Sequence, residues 1–152
     1  MHGVKNTCAH LTDMHKIVLD TNCLLQILPS RSKYHNIWIS ILNGSVSLCV
    51  NTDILDEYEE ILGNKMTPRI AHNVVEAIAR LSTTCYQETY IHFGLIEVDK
   101  DDNKFVDCSI AADAKYIVSN DSHFDILKTI EWPQVQVVNI EEYHKELSFS
   151  NK

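Results

Sequence analysis

Three short segments carry the residues of this chain best suited to chemistry: Ile17-Val18-Leu19-Asp20-Thr21-Asn22, Asn103-Lys104-Phe105-Val106-Asp107 and Tyr116-Ile117-Val118-Ser119-Asn120-Asp121. Two of them are apolar strands that run straight into a carboxylate. The third sets a carboxylate inside an otherwise apolar helical stretch. In an open parallel sheet the strand ends gather at one edge, and ligand sites form there. Carboxylates brought to that edge from distant parts of a sequence repel one another unless cations fill the pocket. A divalent metal is the chemistry such residues suit first.

Each acid also has a plainer structural role open to it. Asp20, Thr21 and Asn22 follow a buried strand and open a helix, where all three residue types suit N-capping. What sets Asp20 apart is its place at the carboxyl edge of a central strand. Asp107 shares its helical face with Asn103, Ile110, Ala111 and Ala114 at about 100° per residue. That apolar, small-residue face should pack on the sheet. A buried carboxylate there needs a cation or hydrogen-bond donors, because leaving it unpaired is costly. Asp121 ends the fourth strand as Asp20 ends the first, although Ser119-Asn120-Asp121-Ser122 also reads as a capped turn. Glu57 lies on an acidic helix with Asp53, Asp56, Glu59 and Glu60, whose buried stripe is Ile54, Tyr58 and Ile61. It falls about 40° from Ile61, at the stripe's edge. From there it can reach inward at the sheet rim, though the spacing alone favours a solvated surface charge.

Alternating helices and strands position these acids, the pattern of a parallel α/β sheet. The first strand is Ile17 to Leu19, followed by helices over Asn22 to Leu28 and Tyr34 to Leu42. Gly44 ends the second helix, and Val46 to Val50 is the second strand. Asn51 or Thr52 caps a helix running to Leu62, and Pro68 opens another that continues to about Ser82. Leu95 to Val98 reads as the third strand, Lys104 to Ala114 as a helix and Tyr116 to Ser119 as the fourth strand. A short helix at Phe124 to Lys128, a fifth strand at Val135 to Val138 and a helix from Ile140 to Leu147 close the chain. Met1 to Asp13 show neither periodicity and read as a disordered extension, with Met14 as an alternative start. Residues 14–152 read as a single domain.

Composition narrows the function class. A chain of 152 residues, 45% apolar and poor in Gly and Pro, buries a full core without disulfides or structural metal. Five Cys with no C-x-x-C pair, and no secretory apolar stretch, imply reduced thiols and a cytoplasmic setting. No apolar run approaches the roughly 20 residues needed to cross a membrane. The net charge of −8 argues against a general nucleic-acid-coating protein. It leaves room for an enzyme acting on nucleic acid, since bound metal inverts the local sign. The histidines show no zinc spacing, and no phosphate-binding glycine loop or nucleophile motif is present.

The order and spacing of Asp20-Thr21-Asn22, Thr52-Asp53-Ile54-Leu55-Asp56-Glu57-Tyr58, Asn103 to Ala111 and Tyr116 to Asp121 resemble the PIN domain. The resemblance runs from Lys16 to about Tyr143, and is strongest to bacterial PIN proteins that form the toxin half of toxin–antitoxin pairs. It implies a three-layer α/β/α fold with a five-stranded parallel sheet of order 3-2-1-4-5, in which Asp20 meets Asp121 at the switch point. It also implies an acidic quartet of Asp20, Glu57, Asp107 and Asp121, acting as catalytic residues and ligands of Mg²⁺ or Mn²⁺. Asn22 and Ser119 would support metal or water, and Asn103 would orient the pocket. The family's toxins often carry a further acid two positions after the fourth. Here that position is His123, with Asp125 two beyond it.

The reaction implied by the resemblance is metal-dependent hydrolysis of phosphodiester bonds, with RNA as substrate and an antitoxin protein as partner. A homodimer is a further implied assembly, and no membrane is involved. Two carboxylates about 4 Å apart repel by about 4 kcal/mol at an effective dielectric near 20, and an ion relieves that repulsion. Arg31, Lys33, Lys65, Arg69 and Lys104 are candidate phosphate contacts, although each also suits a solvated surface. Three other readings compete. A haloacid-dehalogenase-like phosphatase needs a second Asp where this chain has Asn22. A response-regulator receiver needs a phosphoacceptor on a mid-chain strand and a later Lys at a strand end, and neither is present. A PIN-fold binding module without catalysis is the third, against which the presence of all four acids argues.

Overall fold

The run Ile17-Val18-Leu19 has no polar face, and all three residues are fully buried in β1 (His15–Leu19). Burial on both faces is the mark of a central strand in a parallel sheet. The computed structural model describes residues 14–150, so the expected extension over Met1 to Asp13 lies outside the described residues. After β1 the chain forms α1 (Thr21–Ile27), α2 (His35–Leu42), β2 (Val46–Val50), α3 (Thr52–Lys65), α4 (Pro68–Arg80) and β3 (Cys85–Tyr86). A 3-10 turn (Lys100–Asp102), α5 (Asn103–Ala112), β4 (Tyr116–Val118), a 3-10 segment (Ser122–Thr129), β5 (Val137–Val138) and α6 (Ile140–Ser150) follow.

The five strands pair in parallel, in the order β3-β2-β1-β4-β5. Helices cover both sides, giving the three-layer α/β/α fold that the resemblance implies. Ile17 stands opposite Leu48 on one side and Tyr116 on the other, so β1 lies at the centre. Local chemistry sets the helix starts. Asp20 accepts from the Cys23 N–H at 2.8 Å, Asn51 from Ile54 at 2.9 Å and Thr67 from Ile70 at 3.1 Å, each filling an otherwise orphaned donor. Among the described residues no helix is long and apolar enough to cross a membrane.

Helix α3 runs to Lys65 and β5 shortens to Val137–Val138, and two further departures bear on the site. Helix α5 stops at Asp113, which takes the left-handed conformation at φ 54°, so Ala114 lies beyond the helix. The third strand is Cys85–Tyr86, not Leu95 to Val98. It is a two-residue edge strand, too short for an alternating pattern to show. Leu95 to Val98 is apolar for another reason: Ile96 is buried, and the Asn103 side-chain amide holds its backbone. Asn103 Oδ1 accepts from Ile96 N at 2.9 Å, and its Nδ2 donates to Ile96 O at 2.8 Å. A side chain takes the place of a neighbouring strand.

Candidate functional site

Strands β1 and β4 are neighbours and end at the same sheet edge, with Leu19 opposite Val118. That register delivers Asp20 and Asp121 to the switch point. Ser119, also buried, links them. Its hydroxyl donates to Asp20 Oδ2, and its Oγ accepts from the Asp121 N–H at 3.0 Å. Burial pushes the Asp20 carboxyl above its ordinary range, the bonds from Ser119 and Cys23 pull it back, and the charge of Asp121 raises it. A neighbouring cation relieves both the desolvation and the repulsion. Asp20, Asn22, Lys65, Asn120 and Asp121 line a hollow of about 480 Å³.

Glu57 and Asp107 lie in an adjoining hollow of about 550 Å³. Glu57 turns inward from α3, as its place at the stripe's edge allows. Thr21 donates its hydroxyl to Glu57 Oε2, and Lys104 Nζ sits 2.6 Å from Oε1. Asp107 is 3% exposed and finds protein donors: Phe93 N at 3.1 Å from Oδ1, and the His92 ring at 3.4 Å from Oδ2. The quartet thus stands as two pairs, joined through Thr21, which follows Asp20 in the chain and holds Glu57.

The supporting residues divide. Ser119 bridges the first pair, whereas Asn103 grips Ile96 and shapes the wall of the second hollow. Asn22 is exposed at the mouth of the first hollow. Asp125 is exposed and pairs with Lys128 at 3.6 Å. Of the five candidate phosphate contacts, Lys33 instead pairs with Glu141 at 2.9 Å, and Lys104 is drawn in against Glu57.

One cluster escapes a reading of motifs alone. Asp99, Asp102 and His123 offer ligand atoms within 4.8 Å of one another. His123 Nδ1 lies 3.2 Å from Asp102, 3.4 Å from Asp121 and 3.9 Å from Asp99. The position of His123 is the one already noted after the fourth acid. Asp102 announces itself only as part of the acidic run before Asn103, and the fold brings it beside Asp121. Burial, reinforced by the charges of Asp99 and Asp121, pushes its carboxyl up to about 6, against the bond from His123.

The PIN domain family model matches residues 16–123, a span that holds all four acids. The chain belongs to the PIN domain family. The fold of this PIN domain is similar to a chain of VapBC2 from Rickettsia felis, solved bound to a DNA fragment from their promoter. The TM-score is 0.57 at 16% identity, over 82% of this chain and 98% of that one. It is similar, again with a TM-score of 0.57, to a chain of DNA-bound VapBC from Salmonella typhimurium. Identity there is 21%, over 84% of this chain and 99% of that one. No curated protein matches it.

Proposed function

We propose that this PIN domain is a metal-dependent endoribonuclease and the toxin half of a toxin–antitoxin pair. The observation that carries the reading is the bridge from Asp20 through Ser119 to Asp121, at the ends of the two central strands. The donor set fits the metal that the family implies. Carboxylate oxygens are hard ligands suited to Mg²⁺ or Mn²⁺, and Asp20 is raised first by burial and then by the charge of Asp121, a cost that a bound cation would offset. Asp20 and Asp121 would hold the ion, with Asp107 and Glu57 of the quartet in the adjoining half. When bound, such an ion supplies Lewis acidity and makes water a better nucleophile towards phosphorus.

The chain's own residues do the positioning. Ser119 and the Cys23 N–H fix both oxygens of Asp20, so its carboxylate cannot rotate away. Thr21 aims Glu57 in the same way. Lys65 lies on the wall beside Asp20, where it would meet a backbone phosphate as a point charge. The fold likeness to chains of VapBC complexes supports a protein antitoxin as partner. A binding module without catalysis is the second reading, favoured by the protein donors that Asp107 and Glu57 already have.

Cleavage of labelled RNA with Mg²⁺ or Mn²⁺, beside DNA of the same sequence, tests the proposal. Asn caps a helix as well as Asp does, so Asp20→Asn keeps the Cys23 bond and removes the charge. The expected loss is roughly 10²–10³-fold, the scale for removing one preorganised electrostatic group. Equal metal-dependent cleavage by both proteins would sink the assignment of Asp20, and no cleavage by either would favour the binding module.

A further inference from the structure

Lys104 and Glu57 form an unusual ion pair for this molecule. Their side chains are only 18% and 24% exposed, with Nζ 2.6 Å from Oε1. Among the described lysine and arginine pairs, the others leave the basic partner at 49% or more. The pair is fixed from both sides. Thr21 holds the second oxygen of Glu57, and Nζ stands 5.6 Å from the centre of the Phe105 ring. The hollow around it is lined by Asp53, Asp56, Glu57, Glu60, Asp101 and Asp107, with Lys100 also on its wall, so Lys104 places a positive charge among six carboxylates.

We infer that Lys104 is a resident cation: its ammonium occupies the place at Glu57 that a second divalent ion would otherwise take, so the protein binds one ion and not two. The inference rests on the nuclease reading for where the first ion sits, at Asp20 and Asp121. Its physical basis is competition. A tethered ammonium already inside the hollow loses little freedom on pairing, whereas an incoming ion must shed water and displace it. A lysine ammonium has three protons in rotatable directions. With one directed to Glu57, the others can face the hollow and meet a phosphate oxygen. Lys104 is therefore a positioning residue that holds Glu57 and neutralises it.

Counting Mn²⁺ by the electron paramagnetic resonance signal of the free ion tests this without any turnover. Wild type should bind one ion. Lys104→Met keeps the aliphatic stem over Phe105 and removes the charge, and should bind two. Lys104→Gln provides the same test should the Met variant fold poorly, as checked by circular dichroism. Adding Glu57→Gln should return the count to one, and Lys104→Arg should bind as wild type does. An unchanged count in both neutral variants overturns the inference, as does a wild type that binds two ions. So does a gained ion that survives Glu57→Gln. A wild type that binds none, with one ion gained in Lys104→Met, would uphold the role of Lys104 while removing the metal from Asp20 and Asp121. No binding by any variant would remove both.

Discussion

The Tyr58 hydroxyl donates to the Leu19 carbonyl at 2.5 Å in a fully buried contact between α3 and the end of β1. Tyr58 follows Glu57 and Leu19 precedes Asp20, so one hydrogen bond sets the spacing of two acids carried by separate elements. Tyr58→Phe keeps the ring and removes that tie. The expected loss is about 1–3 kcal/mol, the cost of a buried bond whose partner stays behind. Urea unfolding measures it, and a midpoint within error of wild type would mean that Leu19 O is satisfied without Tyr58.

Metal should raise the melting temperature if the first pair is a binding site, since a ligand of the native state stabilises it. At free metal 100-fold above Kd the gain is about 2.7 kcal/mol. Asp121→Asn keeps the cap on the His123 N–H, now 2.9 Å from Oδ1, and should remove most of that increment. Asp107→Asn should lower it as well if the second pair contributes. Glu59→Gln serves as control, because Glu59 is on the solvent side of α3, 3.7 Å from His72. A full metal response in Asp121→Asn would remove Asp121 from the ligand set.

The central strands and the helix caps were legible in the sequence, because each depends on local rules, whereas the sheet order came from the resemblance to the PIN domain. Ile17 to Leu19 is apolar on both faces, and a two-sided apolar strand must be central. What escaped depends on contacts distant in sequence. Cys85–Tyr86 is a strand only because β2 offers its edge, with Cys49 opposite Cys85. Leu95 to Val98 has the composition of a strand, but Asn103 supplies its hydrogen bonds. The resemblance names the quartet residue by residue, whereas its division between two hollows depends on contacts that no motif reports. The direction of Glu57 is set by Thr21 and Lys104, and no spacing rule reports a side chain's partner on another element.

His15 gives the fold a pH dependence away from the acids. It is half-buried, its Nε2 is 2.7 Å from the Tyr143 hydroxyl, and its ring meets Tyr116 and Tyr143 edge-on. Burial and the charge of Lys115 push its pKa below the ordinary 6.5, with Glu146 opposing. As pH falls through that value the unfolded chain binds the proton first, so stability is complete above about 6.5 and declines below it. His15→Gln keeps a partner for Tyr143 without the titration. Its melting temperature should fall less than that of wild type between about pH 7 and pH 5. Parallel curves would show that the proton enters the folded protein as easily as the unfolded one.

If this PIN domain is the ribonuclease toxin proposed above, its unblocked activity should harm the cell that makes it. Producing the wild-type chain in a bacterial host should therefore slow growth, and Asp20→Asn or Asp121→Asn at matched expression should not. The comparison is clean for a structural reason. Both acids are N-caps, accepting from Cys23 at 2.8 Å and His123 at 2.9 Å, and Asn fills a cap as well as Asp. The variants thus lose charge while keeping the bonds that hold their helical segments. A basic segment on the blocking partner suits a chain of net charge −8 by electrostatic complementarity. Association should then weaken as salt rises, through a slower on-rate. Equal growth with wild type and both variants would count against the toxin role, while RNA cleavage in the test tube would continue to support the nuclease.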